Sequence, residues 1–481
     1  MPEIRDCTIN FSREQCGVNI ILDPQQSIGS QTDKSLIIGQ VADDATIATC
    51  QPVKYSDIDT ALLGTGSMIE QQVNAAIEQY PRGEYWILPL PNDGTPGIKT
   101  IQVSGVDTAT MPGIVYFWVN GNAYSVSFDP AAETNDDIAA KIAAVIDAED
   151  PTVTVTVATD TVTVETLANG EVGGYLDIRS SYSVRPDLAG STEVTLTVAG
   201  NNGTGTPDLS CIESLSDGFS FVINPYTDDD SIASVETYAC SQWSGGARTR
   251  VYGAFYGTKI EGETFARNLN NAFFSYVGVD GALQPSYLLT SYYGAELYER
   301  LKCDSGVVAE NLSGIAFTDF LPPEAADRYS TFEIDDLVNA GLGYLAYTSN
   351  NTATIGRAVT TFTTRDNGTL DDSLRDVNKP AIMACISQYM QEMITARFSG
   401  YAFRADGVVG SSRTKVLTIP ALRNYIATLG QELSNRDLIE NITGFISSIQ
   451  IEQDDAGCIA ISVDPELVCA LCCVTVNLRT Q

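Results

Sequence analysis

The sequence predicts an α/β (α+β) core, interrupted by an inserted β-rich domain and continued at both chain ends by extended arms. Three observations predict it. Apolar strand runs alternate with segments of helical periodicity before residue 91 and again after residue 208, which is the texture of an α/β layer. Between them lies a long stretch of Thr/Val alternation, bracketed by the turn-rich segments PNDGTPG (91–97) and NNGTGTPD (201–208). Short alternating segments stand at the two termini, CTINFS (7–12) and CALCCVTVNLRT (469–480).

In chain order, CTINFSREQCGVNIIL reads as an extended start, and SLIIGQV (35–41) as a short apolar strand. Ser56 or Asp57 is placed to cap the helical region that follows, where Ile69, Val73, Ala76, Ile77 and Tyr80 share one face. GEYWILPL (83–90) reads as a buried strand. In the insertion, IVYFWVNGNAYSVSF (114–128) is a hairpin with Asn-Gly at its tip, because that pair tolerates the positive φ angles of a tight hairpin turn. One helix follows with Ile138, Ile142, Val145 and Ile146 aligned, then a second hairpin (152–166) and a strand in STEVTLTVAG (191–200). From Phe219 strand and helix alternate again. A helix closed by Gly341 leads to a strand at Tyr344–Tyr347, a turn at Ser349–Asn351 and a strand through Ile355–Thr364. In the following long helix Ile382, Cys385, Ile386, Tyr389, Met390, Met393 and Ile394 form one stripe, which makes Cys385 a buried structural thiol. Cys50, Cys211, Cys240 and Cys303 are read the same way.

Composition removes whole classes of function. The chain has 27 basic and 61 acidic residues, a formal net charge of −34, so its surface repels phosphate and nucleic acid is not a partner. It contains no histidine, which takes away the usual general base and every Ser-His or Cys-His nucleophile. No Gly-rich phosphate loop, dinucleotide fingerprint or nucleophile elbow is present. The acidic runs at 228–230 and 366–372 lack the ligand spacing and closing Glu of a calcium loop, and read as helix-start and loop carboxylates. No apolar run is long enough to cross a bilayer, and MPEIRDCTINFS has neither the basic start nor the apolar stretch of a signal peptide. The expectation is a non-enzymatic protein made in a cytoplasm, with no catalytic residues, cofactor or metal and no direct membrane insertion. An insertion that binds glycans, as in a virion-surface or secreted adhesin, is the alternative. It needs exposed aromatics, for which Tyr116, Phe117, Trp118 and Tyr124 are the candidates, although their poor alternation with polar residues points to core.

INPYTDDDSIASVETY (223–238) and the ordered series from Leu337 to Phe398 resemble the sheath proteins of contractile bacteriophage tails. In that series a helix with a Gly-rich end precedes NNTATIGRAVTTFTT, an acidic loop with DDSLRDV, and a long helix ending ITARFSG. LANGEVGGYLDIRSSY (167–182) is similar to β-rich modules inserted in phage tail proteins. The resemblance, here to a cysteine-rich member, implies a homo-oligomer of stacked rings or a helical sheath around a tail tube protein, with baseplate and tail terminator proteins as further partners. It implies contraction that drives the tube through a host envelope, location in the virion tail, and assembly in the host cytoplasm. It also implies arms that add strands to neighbouring subunits. The domains are then an N-terminal arm (1–22), a sheath α/β domain in two parts (23–92 and 209–400), the inserted β-rich domain (93–208), a C-terminal sheath domain (401–466) and a C-terminal arm strand (467–481). Thr8, Ile9 and Phe11 at one end and Val474, Val476 and Leu478 at the other are the candidate arm strands. The tube-facing surface is expected near Gln388–Arg397, and Arg397, Arg404, Arg413 and Arg423 are candidates to meet carboxylates on a neighbour.

Besides a thioredoxin-like redox CxxC, whose helix-start context and electropositive neighbours are missing, the terminal cysteines admit three readings. Cys469, Cys472 and Cys473 with Cys458 supply four thiolates for zinc, although strand alternation sends Cys472 to the opposite face from Cys469 and Cys473. As small apolar residues they fill strand contacts and stay reduced. As crosslinks, Cys7, Cys16, Cys458, Cys469, Cys472 and Cys473 form inter-subunit disulfides that staple the arms. The odd total of 11 cysteines and the oxidising life of a free virion favour that third reading.

Overall fold

The computed structural model describes residues 18–22, 33–181, 190–191, 193–245, 247–303, 309–365, 367–404, 415–453 and 459–469. In chain order the elements before the insertion are β1 (Val18–Leu22), β2 (Ser35–Gln40), β3 (Val53–Lys54), α1 (Met68–Gln79) and β4 (Tyr85–Leu90). The insertion carries β5 (Pro96–Ser104), β6 (Gly113–Val119), β7 (Asn122–Phe128), α2 (Asn135–Glu149), β8 (Val153–Ala158), β9 (Thr161–Asn169), α3 (Gly170–Gly173), β10 (Ile178–Arg179) and β11 (Thr195–Asn201). The α/β body resumes with β12 (Phe221–Ile223), α4 (Asp229–Gly245), β13 (Arg250–Tyr256), α5 (Lys259–Leu269), β14 (Phe274–Val279), α6 (Ser286–Leu301), α7 (Thr331–Ala340), β15 (Gly343–Tyr347), β16 (Ala353–Arg357) and α8 (Asn378–Phe398). It ends in β17 (Ala402–Arg404), β18 (Val416–Thr418), α9 (Ile419–Asn435), α10 (Ile442–Ser448), β19 (Gln450–Gln453) and β20 (Ile459–Val463).

Among the described residues the central sheet has eight strands in the order β16-β15-β14-β13-β12-β2-β4-β3. The strands from β15 to β4 run parallel, and the edge strands β16 and β3 are antiparallel to their neighbours. Parallel strands joined by crossover helices are covered on both faces, so their sequences are continuous apolar runs rather than alternating ones. SLIIGQ in β2 obeys this, buried at every position between β12 and β4. One face packs against α1, α6 and α8, the other against α4, α5 and α7. The strand expected to run to Thr364 stops at Arg357. Beyond it the Thr360 N–H donates to Arg375 O (2.8 Å) and the Thr361 N–H to Phe274 O (2.9 Å), so this Val/Thr run is a buried connector with partners on two sides and no ladder.

α1 carries the expected buried face of Ile69, Val73 and Ala76, but its cap differs from the sequence reading. Ser56 and Asp57 sit in a separate 3-10 turn (Tyr55–Asp57). Gly64 and Gly66, at φ of 82° and 69°, then reverse the chain, and Ser67 caps the helix by accepting the Glu70 N–H (3.4 Å).

The insertion has its own core beneath two antiparallel sheets, β11-β5-β9-β8 and β10-β6-β7, closed by α2. Asn120 and Gly121 form the hairpin tip with φ of 47° and 84°, both in the left-handed region that such a tip demands. A capping box between Thr134 and Asp137 starts α2, and Ile138, Ile142 and Ile146 fill the core. Phe117, Trp118 and Tyr124 are buried, so the aromatics that a glycan-binding face requires are taken up inside. Trp118 instead docks the insertion on the body: it packs on Leu283, with Tyr116 and Leu321 alongside. Tyr175 OH donates to Ala282 O beside this contact. Arg179, held by Asp177 at 2.8 Å, reaches Gly281 O at 3.3 Å.

α8 is buried on nearly all sides over its first half, because Met383, Ala384 and Ser387 are as enclosed as the stripe itself. Ser387 Oγ accepts from Arg248 Nε (2.9 Å) and Nη2 (2.7 Å), and burial pushes Arg248 down to about 10. Cys385 is buried as expected, yet it is not a thiol. The end of α6 brings Cys303 to a Cα–Cα distance of 5.1 Å, and the two are joined in a disulfide. Burial read from periodicity was therefore right for Cys385, while its pairing depends on a chain segment that helical spacing does not see.

The docking contact gives a direct test. Trp118→Ala is expected to cost about 3 kcal/mol, within the range for truncating a buried aromatic, and to expose the stems at 91–97 and 201–208 to protease. Urea unfolding with parallel limited proteolysis reads both effects; unchanged stem cleavage would mean that the insertion is held by something other than this contact.

Candidate assembly surfaces

The C-terminal module grows out of the end of α8. Pro420 stands in the first turn of α9, where its missing N–H costs nothing, and Leu422, Ile426, Leu429 and Leu433 line the buried face of that helix. Asn441 caps α10 by accepting the Gly444 N–H (2.9 Å). β19 and β20 pair antiparallel, Gln450 opposite Ser462. β20 alternates as a one-sided strand should, with Ile459, Ile461 and Val463 buried and Ala460 and Ser462 half-buried.

A third strand comes from the other end of the chain. β1 pairs antiparallel with β20, from Val18 opposite Val463 to Leu22 opposite Ile459, and lies along α8. The resulting sheet has the order β1-β20-β19, so among the described residues the outer edges of β1 and β19 are open to a further strand. After β20 the chain is tied down by Asp464 N–H to Ser448 Oγ (2.9 Å) and Val468 N–H to Leu438 O (3.2 Å). It reaches the surface at Cys469, which is exposed, with Sγ 3.7 Å from Leu467 O. Both termini therefore leave from one small module.

Of the sequence-predicted site residues only Cys469 is placed. Cys7, Thr8, Ile9, Phe11, Cys16, Cys458, Cys472, Cys473, Val474, Val476 and Leu478 lie outside the described residues. Arg413 also lies outside them, as does the side chain of Arg404, while Arg397 and Arg423 are exposed. The Arg397 guanidinium lies over the Tyr425 ring at 4.8 Å, and Phe398 meets the same ring edge-on. Within Gln388–Arg397 the exposed part is confined to Ala396 and Arg397.

Sequence reasoning missed the β1–β20 pairing and a second surface on the α/β body. The starts of α5 and α7 lie side by side, linked by Tyr329 OH to Gly257 O and by Lys259 Nζ to Asp336 at 2.7 Å. Each start is closed by a capping box, Thr258 with Glu261 and Ser330 with Glu333. The backbone N–H groups received by Glu261 and Glu333 hold both carboxyls below their ordinary range. Beside these caps Ile260 and Phe332 are 74% and 84% exposed. Their signal was present in the sequence, since each is an apolar residue just inside a capping box, where polar residues are usual.

Among the described residues no group of three or more acidic or Cys residues is arranged to hold a metal ion, and no helix is long and apolar enough to cross a membrane. The acidic runs are structural: Asp228 Oδ1 accepts the Ser231 N–H at the start of α4 (3.0 Å), and Asp371 pairs with Arg365 at 2.7 Å.

No protein-family model matches the chain. A Mu-like prophage FluMu tail sheath protein of Haemophilus influenzae is 27% identical over 402 residues, covering 82% of this chain and 80% of that protein. Among solved structures, the sheath tail protein of Desulfitobacterium hafniense superposes with a TM-score of 0.45 at 13% identity, over 89% of this chain and 92% of that one. A sheath tail protein of Listeria innocua gives 0.45 at 11% identity, over 91% and 93%.

The joint between the two chain ends can be tested in solution. Ile461→Asp places a carboxylate in the buried face of β20 and is expected to cost at least about 3 kcal/mol locally. Hydrogen exchange should then show amide protection of 18–22 and 459–463 lost together, with β2 and β13 unaffected. Protection retained at 18–22 would contradict the pairing.

Proposed function

We propose that this chain, a contractile tail sheath protein, polymerises as stacked rings or a helical sheath around a tail tube and contracts to drive the tube through a host envelope. The observation that carries the reading is a tail sheath relative matched across most of both chains. Among the described residues, β1 near the start of the chain joins β20 and β19 near its end in one sheet whose two outer edges are open. A head-to-tail contact of that kind builds rings or open helices.

In this mechanism the terminal segments are the mesh. Thr8, Ile9 and Phe11, with Val474, Val476 and Leu478, add strands to the β1-β20-β19 sheet of neighbouring subunits, where backbone hydrogen bonds supply affinity and persist through rigid-body movement. Cys7, Cys16, Cys458, Cys469, Cys472 and Cys473 crosslink that mesh after release from the reducing cytoplasm. The α/β body with its docked insertion turns as one unit during contraction, and the surface around Gln388–Arg397 faces the tube. The tube protein, baseplate and tail terminator are the partners, and the virion tail is the location, reached after assembly in the host cytoplasm. The protein acts as a structural subunit and not as an enzyme.

Two measurements test this reading. Purified full-length protein, concentrated and viewed by negative-stain electron microscopy, is expected to form hollow tubes of uniform diameter. Removing residues 1–17 or 470–481 should abolish the tubes while leaving the thermal unfolding midpoint within a few degrees. Tubes that survive both truncations would remove the mesh from the account. Denatured particles migrating as monomers on a gel without reductant would remove the crosslinks.

A further inference from the structure

Two of the three described free cysteines outside the terminal segments, Cys50 and Cys211, lie together. Cys50 follows the β2–β3 loop, and its backbone is fixed in the left-handed region (φ 60°) by an N–H bond to Pro89 O of β4 (2.7 Å). Cys211 lies in a 3-10 turn (Ser210–Ser214) where the insertion returns to the body. That turn is set by Asp208 Oδ1 accepting the Ser210 N–H (2.8 Å) and Ser214 Oγ donating to Cys211 O (3.0 Å). Both side chains pack on the same apolar cluster beneath the sheet, both are half-buried free thiols, and the Cys211 thiol lies within side-chain hydrogen-bonding reach of Cys50. Two thiols brought together by independently anchored backbones are placed to be tested as a disulfide pair.

We propose that Cys50 and Cys211 form a second intrachain disulfide, made by exchange with a small-molecule disulfide of the glutathione class. The bond closes a covalent ring around α1, β4 and the whole inserted domain, tying the returning stem of the insertion to the segment that precedes it. The existing Cys303–Cys385 bridge lies on the opposite face of the sheet, packed into the other core cluster. The second bond would therefore fasten a part of the body that the first does not reach.

The exchange runs in two steps. Cys50 sulfur, as thiolate, attacks one sulfur of oxidised glutathione, forming a mixed disulfide and releasing one glutathione thiolate. Cys211 sulfur then attacks the Cys50 sulfur, forming the intrachain bond and releasing the second glutathione. Two protein thiols are oxidised, the glutathione disulfide is reduced, and the two protein protons end on the two glutathione thiols. Burial, together with contact from Cys50, pushes the Cys211 thiol up to about 12, so its thiolate is scarce.

The test uses the full-length chain, purified with reductant, transferred to oxidised glutathione, alkylated and digested without reduction for mass spectrometry. The expected result is a Cys50–Cys211 linked peptide, with the Cys303–Cys385 peptide in the same digest showing that internal bridges are recovered. Cys211→Ser should abolish the linked peptide and leave Cys50 carrying glutathione. Cys50→Ser should abolish it as well. Recovery of Cys50 and Cys211 from the wild-type chain as alkylated thiols, as two separate glutathione adducts, or linked to Cys240 or to a terminal cysteine would overturn the proposal.

Discussion

The pairing of Val18–Leu22 with Ile459–Val463 is the interaction on which the rest of the molecule turns. It joins the start of the chain to its end across the body, on a sheet whose outer strands are left open. An open edge offers unpaired N–H and C=O groups to any extended segment, which a monomeric protein normally avoids by charge, proline or cover. Under the proposed function, the same edge becomes the means of attachment to neighbouring subunits. Because the affinity resides in backbone hydrogen bonds, attachment needs no matching side chains and no fixed angle between the bodies.

Charge acts on the same surfaces. A chain with a formal net charge of −34 repels its own copies, so contact between copies depends on places where charge is absent. The exposed Ile260 and Phe332 at the paired starts of α5 and α7 are apolar side chains set among ionised carboxylates. The two capping boxes beside them consume Glu261 and Glu333 in backbone hydrogen bonds. The insertion is docked on the body through Trp118 and Leu283.

Local chemistry was legible in the sequence. The Asn120-Gly121 tip, the stripe of α1 and the closing Gly341 each follow from the needs of a few consecutive residues and stand where they were expected, whereas the cap of α1 is Ser67 and not Ser56 or Asp57. What escaped was set by partners far along the chain. Cys385 was read as buried but could not reveal Cys303, and the Val/Thr run after Arg357 has strand propensity yet is drawn off by Phe274 and Arg375. β1 was read as part of an extended start, and nothing local says that it closes on β20. The family resemblance rests on a different signal, the order of segments over Phe219–Phe398 and not any individual residue. The arm residues and five of the six candidate crosslinking cysteines lie outside the described residues, so the sequence remains their only witness.

The most direct measurement is a helical reconstruction by cryo-electron microscopy of the purified protein assembled into tubes. The account requires density for a strand from one subunit against the outer edge of β1 or β19 in the next, continuous with residue 17 or residue 470 of the donor. Tubes whose subunits touch only through the α/β bodies or the insertions, with both edges bare, would contradict it.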